Sequence, residues 1–457
     1  MLFSSIEFLF YFLPVVVGVY FLLPNMLRNF WLLLASLFFY GWGEPKNLIL
    51  MVFTIGAFYL IGLAMGRGKH RRFWLTVSVV LGLGLLAVFK YSGFAVDNLN
   101  TLFGLSIPYP RLALPIGISF YTFQLLSYTI DVYRGRVEPQ KNLIDFGCYV
   151  SLFPQLIAGP IVRYIDVDRE LKNRSTTTDD FYAGLQRFIL GLGKKILLAN
   201  QLGQFVEIFR ASDEKSLLFH WLYAAAFSMH IYFDFSGYSD MAIGLGRIFG
   251  FHFCENFNYP FISGSIQEFW RRWHMSLGSW FRDYLYIPLG GSRVSRGKWL
   301  RNVLVVWLFT GAWHGAAWNF IIWGLYFAAF LLLEKQFRFP GRLPKALRHG
   351  YVLLTVAVSF VIFNAEDMGQ AFSDLGGMIG LGGIPLVSPE SLYYLRSYAG
   401  IFLLSTIGCL PVVKNYVNHL PSKAVNLLRP ILLASLLLVC TAYLVDGSFN
   451  PFLYFRF

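Results

Sequence analysis

The chain has 457 residues, of which 56% are hydrophobic and only 14% charged. A soluble domain carries about 25% charged residues, so this composition excludes a protein that covers its surface with polar groups in water. The net charge is +13, but the basic residues gather between apolar runs, the pattern of cytoplasmic loops rather than of a nucleic-acid surface.

Apolar runs of crossing length recur, a helix needing about 20 apolar residues to span. They are continuous rather than alternating, which disfavours a β-barrel. The expected fold is all-α: a polytopic transmembrane helical bundle of about 10–12 spans with re-entrant and amphipathic helices, forming one integral-membrane domain over residues 1–457. Cys148, Cys254, Cys409 and Cys440 lie far apart in or near apolar segments and read as small core hydrophobes. No metal site is expected. The N-terminus lacks a basic stretch before its apolar run, so Ile6–Leu23 reads as a retained first span.

The first four spans are expected at 6–24, 28–43, 47–65 and 73–90. The loop from Arg67 to Arg72 is strongly basic and is expected in the cytoplasm, which sends the N-terminus outside. The Asn- and Pro-containing stretch 91–112 then reads as a short amphipathic or irregular segment outside. A fifth span over 113–130 delivers Asp131, Arg134 and Arg136 to the cytoplasm. Phe146–Ala158 is shorter and is interrupted by Pro154, Gly159 and Pro160, with charged flanks on both sides, so it reads as re-entrant. Such backbone is tolerated at membrane depth only where protein buries it or water reaches it.

Residues 181–199 read as a helix carrying Lys194 and Lys195, and 216–234 as a further apolar run that continues into the polar stretch Met229–Asp240. Asp234 and Asp240 are expected to pair with arginines such as Arg247 or Arg271, because an unpaired carboxylate at that depth is costly. Segment 251–302 is rich in aromatics and arginines and cannot be a simple span; short amphipathic and re-entrant helices on the cytoplasmic side are expected, ending in a Gly290-Gly291 turn. Val303–Leu333 is then long for one crossing and short for two, so either two shortened helices break at Thr310–Gly315 or one long tilted helix crosses. Three late spans fall at 350–364, 393–411 and 429–446, with 365–391 outside, Lys414–Arg429 inside, and an aromatic tail over 450–457 against the bundle.

Several catalytic signatures are missing: no GxxxxGK[ST] phosphate loop, no GxSxG elbow and no HExxH motif occur. Gly244-Leu245-Gly246 sits in a helical stretch and reads as close helix packing. Two histidines remain, His274 in a Trp- and Arg-rich cluster and His314 inside the apolar run. An imidazole can take a proton from a hydroxyl near neutral pH. Arginines at a cytoplasmic mouth suit a phosphorylated donor, since guanidinium binds phosphate in a bidentate manner. Group transfer from a phosphate-bearing carrier to a hydroxyl is one reading. A helix–helix hydrogen bond, or a proton site of a transporter or flippase, stands beside it.

Three stretches carry a resemblance: Phe269–Leu277 (FWRRWHMSL), Trp280–Gly291 (WFRDYLYIPLGG) and Gly311–Gly315 (GAWHG). They resemble the signature of the membrane-bound O-acyltransferase family. Tyr232–Asp240, Pro154–Pro160 and Met1–Ser5 are similar to its bacterial branch, typified by the alginate O-acetyltransferase membrane subunit. The resemblance implies a helical bundle around a tunnel, with His314 catalytic and His274 the second signature residue. It implies no tightly bound cofactor and a cytoplasmic acetyl donor, acetyl-CoA or an acyl carrier. The acceptor would be an extracytoplasmic polysaccharide, alginate-like or else peptidoglycan, cellulose or teichoic acid. An SGNH-hydrolase-like partner outside the membrane and a polysaccharide synthase or secretion machinery would work with it, in the inner membrane of a bacterium. Within that frame Arg271, Arg272, Arg282 and Trp313 are expected on the donor side, ion pairing being the competing account of the arginines. Asp234, Asp240 and Asn319 are expected as structural polar groups or tunnel lining.

Overall fold

The apolar runs become helices, and in a computed structural model of the chain every regular element among the described residues is helical. Residues 1–109, 112–337, 339–447, 449–451 and 453 are described. Pro110 and Arg111 of the 91–112 stretch, and tail positions 452 and 454–457, lie outside them. Asn47–Gly66, Arg71–Phe103, Trp318–Phe337, Lys345–Asn364 and Lys423–Val445 are each long and apolar enough to cross a membrane, and the bent pair Pro389–Gly408 with Val412–His419 would make a further span. The protein is thus a multi-pass membrane protein.

The chain forms two compact units, Met1–Phe188 with Ser239–Cys254, and Ile189–Tyr238 with Glu255–Phe457. The first is centred on Phe3, Phe8, Phe12, Phe39 and Phe153, whose rings meet with centroids 4.8–6.3 Å apart. Its polar seam runs through Arg174, which donates to the Asn29 Oδ1 at 2.5 Å and to the Phe249 carbonyl at 3.0 Å. Gly184 and Gly244 let two helices touch backbone to backbone, since a Cβ on either would collide with the carbonyl of the other. The Gly244-Leu245-Gly246 stretch is therefore a packing feature, as its helical setting suggests.

The second unit has a core of Phe205, Phe209, Phe227, Phe269, Trp273, Trp323, Phe327 and Phe360 among others. A buried ion pair stands in it: Lys195 Nζ and Asp234 Oδ1 are 2.5 Å apart, with side chains 2% and 1% exposed. Lys195 also donates to the Pro451 carbonyl, and the Leu453 backbone N–H donates to Asp234 Oδ2 at 3.0 Å. The described part of the tail is thereby held by this pair.

Several expectations are revised. The fourth span does not end at 90: Arg71–Leu86 continues through a wide turn at Ala87–Tyr91 into Ser92–Phe103. Asparagine alone does not stop a helix, and the stop comes at Gly104, whose φ of +63° suits glycine. The fifth span starts late, at Ile118, because Pro115 and the left-handed Gly117 precede it. The 216–234 run extends to a 32-residue helix, Leu217–Ile248. Its carboxylates are matched, Asp234 by Lys195 and Asp240 by Arg187 at 2.9 Å, not by Arg247 or Arg271; Arg247 instead meets Asp180 at 3.1 Å. Cys254 is exposed, whereas Cys148, Cys409 and Cys440 are buried.

Phe146–Ala158 is broken as expected, into Leu143–Ser151 and Phe153–Leu156. Segment 251–302 holds only short turns of helix until Arg296. The 303–333 run resolves into two helices, Arg296–His314 of 19 residues and Trp318–Phe337 of 20. Neither is shortened, because both extend at their outer ends past the apolar run into charged residues, Arg296, Lys298 and Arg301 in the first and Glu334 and Lys335 in the second. The break lies at 315–317, just after His314.

Candidate active site

Glycine makes the hairpin of Arg296–His314 and Trp318–Phe337 close. A Cβ on Gly311 would collide with the Phe320 carbonyl, one on Gly324 with the Trp307 carbonyl, and one on Gly315 with the Phe320 ring. The glycines of Gly311–Gly315 are thus demanded by close approach rather than by backbone angle, since Gly315 is extended with φ −166°. Gly311→Ala or Gly324→Ala is expected to push the helices apart and displace His314. A misplacement of about 1 Å can cost about 100-fold in rate. Initial rates on variants that elute as folded protein check this, and wild-type rates would refute it.

His314 ends its helix with 5% of its surface exposed. Trp313, Trp323 and Phe363 surround its ring nearly edge-on, at centroid distances of 5.0, 5.0 and 5.4 Å. Asn319, in the first turn after the break, donates to the Ala365 carbonyl at 2.8 Å and ties the second helix to the end of Lys345–Asn364. This helix end brings Phe363 to the histidine.

His274 arrives from the other part of the unit, between Ile266–Arg272 and Met275–Phe281, neither of which is long enough to cross a bilayer. The N-terminus of Ile266–Arg272 is held by Glu334, whose Oε1 accepts from the Ile266 N–H at 2.6 Å and Oε2 from the Gln267 N–H at 3.1 Å. Ser265 adds a third acceptor, to Glu268 N–H at 3.0 Å. Glu334→Ala would strand two N–H donors, one of them fully buried, at about 1–3 kcal/mol for each buried donor. A loss of thermal stability in detergent is expected, smaller for Glu334→Gln, which keeps one acceptor oxygen; equal melting of Glu334→Ala and wild type would contradict it.

The backbone of His274 is left-handed, φ +44° and ψ +53°, a conformation uncommon for residues other than glycine and one that clusters at functional sites. Its ring is 2% exposed and meets Phe235 edge-on at 4.6 Å and Trp313 at 5.9 Å. Trp313 therefore contacts both imidazoles. Burial holds His274 well below the usual histidine range, and nearness to His314 pushes the same way. The ring is neutral at neutral pH, the form a proton acceptor requires. Its Nδ1 lies 3.1 Å from the Asn256 Oδ1.

Buried polar atoms are normally hydrogen-bonded. Around the two histidines, Nε2 of His274, Oδ1 of Asn319 and the indole nitrogens of Trp323 and Trp270 are buried with no hydrogen-bond partner among the described residues. They suit water or the polar atoms of a substrate.

The expected donor-side arginines lie at the surface. Arg271 and Arg282 are exposed, and Arg272 is half-buried. Arg282 grips Asp283 with two contacts of 2.7 and 3.2 Å, and Arg272 meets Glu268 at 3.0 Å. Asp283 is thus the carboxylate that answers the pairing account of Arg282, while Asp234 and Asp240 answer Lys195 and Arg187. Asn256 and Glu334 are prominent in the structure but not in the sequence, where Lys195 is noted without being matched to a carboxylate. Lys195 had a signal, since a carboxylate inside an apolar helix requires a cation; Asn256 in a loop-like stretch had none.

Residues 139–366, which include both histidines, match the model of the membrane-bound O-acyltransferase family. The chain is 45% identical over 394 residues to a probable alginate O-acetylase of Azotobacter vinelandii, covering 84% of this chain and 79% of that protein. A protein of the same description from Pseudomonas putida is 39% identical over the full length of both chains. A peptidoglycan O-acetyltransferase of Helicobacter pylori is 32% identical over 100% of this chain and 98% of its own.

Proposed function

This chain belongs to the membrane-bound O-acyltransferase family, and on that premise we propose that it moves an acetyl group from a cytoplasmic thioester for O-acetylation of an extracytoplasmic, alginate-like polysaccharide. The chain acts as one domain in the inner membrane of a bacterium, with a tunnel through it. Acetyl-CoA or an acylated carrier protein is the donor. An SGNH-hydrolase-like partner outside the membrane and the polysaccharide synthase or secretion machinery complete delivery to the polymer.

His314 is the general base. It takes the proton of the acceptor hydroxyl as that oxygen attacks the thioester carbonyl; the carbon–sulfur bond then breaks, and the thiol leaves with a proton. His274 orients or relays. Arg271, Arg272 and Arg282 draw the phosphates of the donor to the cytoplasmic mouth, and Trp313 borders the path. One observation carries this reading: within the family-matched segment, His314 is a buried imidazole at a helix break, framed by three aromatic rings. The likeness to a peptidoglycan O-acetyltransferase over nearly the whole of both chains keeps that polymer as a second acceptor class.

Purified protein in detergent, given labelled acetyl-CoA with mannuronate or peptidoglycan fragments, tests the proposal. Cleavage of the thioester is expected, with label on a sugar ester once the extracytoplasmic partner is added. Passage of an unmodified solute without thioester cleavage would place the protein among transporters instead.

A further inference from the structure

We propose that Asn256 is a positioning residue that locks His274 in the tautomer protonated on Nδ1, so that its Nε2 carries the lone pair used in acyl transfer; this rests on the acyltransfer reading above. Three groups converge on the Oδ1 of Asn256: the backbone N–H of Ser276 at 3.3 Å, the hydroxyl of Ser276 at 2.9 Å, and Nδ1 of His274 at 3.1 Å. A backbone N–H can only donate, so the side-chain atom it faces is the amide oxygen and not the amide nitrogen. An amide oxygen can only accept, so the His274 nitrogen facing it bears the hydrogen. In a neutral imidazole the other nitrogen is then unprotonated.

Ser276 offers a competing arrangement, because its hydroxyl also stands 3.5 Å from Nδ1. Donation from it to Nδ1 would require a bare Nδ1 lone pair to face the lone pairs of Oδ1 at 3.1 Å, a repulsive contact. The shorter bond of Ser276 to Asn256 agrees with the tautomer assigned here. Nε2 of His274 is buried and meets no hydrogen-bond partner among the described residues. Among the described residues, no group occupies this lone pair. The left-handed backbone at His274 is held by the same residue: the Met275 N–H donates to the Asn256 carbonyl at 3.0 Å, so Asn256 clamps both ends of the turn, by main chain and by side chain.

The test reads the tautomer directly. In protein labelled with ¹⁵N-histidine, the His274 ring signals, assigned by their loss in His274→Gln, report which nitrogen bears the hydrogen. The wild type should show Nδ1–H with Nε2 unprotonated. Asn256→Asp, which retains an acceptor oxygen, should keep that tautomer. Asn256→Ala should lose the single tautomer, and acetyl transfer should fall roughly tenfold to 100-fold, a part of the ~10²–10⁴ a general base supplies. Ser276→Ala should leave the tautomer unchanged. An Nε2–H signal in the wild type, or an unaltered tautomer in folded Asn256→Ala, overturns the inference. Should Asn256→Ala not fold, the wild-type and Asn256→Asp spectra still decide. The spectrum requires no substrate, so it fails or succeeds separately from the acyltransfer reading, which the thioester assay judges.

Discussion

His314→Ala is expected to lower acetyl transfer from a thioester by ~10²–10⁴, the contribution of one general base. The protein should remain folded, because the loss of a single side chain typically costs about 0.5–3 kcal/mol, Trp323 and Phe363 of the frame meet each other and further rings, and Trp313 meets His274. His314→Gln should be as inactive as His314→Ala. A glutamine can hydrogen-bond in the same space but cannot accept a proton near neutral pH, which separates proton transfer from mere filling of the frame. The measurement is single-turnover cleavage of labelled acetyl-CoA by protein of matched elution and melting behaviour. Wild-type turnover in either variant would remove His314 from the chemistry and leave it a packing residue at the helix break.

The largest effect on stability is expected at the Lys195–Asp234 pair. Asp234→Ala leaves an ammonium in a site where the lysine side chain is 2% exposed, and it removes the acceptor that holds the Leu453 N–H. Breaking a buried pair by deleting one partner costs roughly 3–5 kcal/mol, since the remaining charge has no compensation. Lys195→Ala should be comparably harmful, as it strands the carboxylate in turn. Replacing both partners by apolar residues, as in Lys195→Met with Asp234→Leu, should recover most of that loss. Thermal unfolding of the three variants in detergent provides the comparison, and proteolysis at the 449–453 segment should accelerate in the single variants. If the double variant melts no higher than the singles, the tail contacts rather than the charges carry the stability.

The candidate site was legible in proportion to how local its chemistry is. His314 declared itself by standing in an apolar run, where a polar group has to be there for a reason. The glycines beside it were visible as letters, but their purpose was not: only the crossing of Arg296–His314 with Trp318–Phe337 shows that a methyl group would strike a carbonyl. For Asp234 and Asp240 the need for a cation followed from burial, yet the cations chosen are Lys195 and Arg187, 39 and 53 positions away, and no periodicity names them. The same holds for Asn256, which reaches His274 across 18 positions that include the helix Ile266–Arg272.

Composition and hydrophobic run length thus determined the membrane setting, the helical class and the position of the histidine in an apolar run, because transfer of side chains out of water is a property of each segment by itself. Helix ends were less secure. Arg71–Phe103 passes its asparagines and stops only at a left-handed glycine, and the 303–333 run grew outward into charged residues. The stretch from Phe269 to Asn319 was conspicuous from the beginning. What the tertiary structure alone decided is its internal wiring: Trp313 against both imidazoles, Glu334 under the helix that leads to His274, and Asn256 on its Nδ1. Hydrogen bonds and ring contacts depend on distance and direction between segments far apart in the chain, and those arise only when the helices have packed.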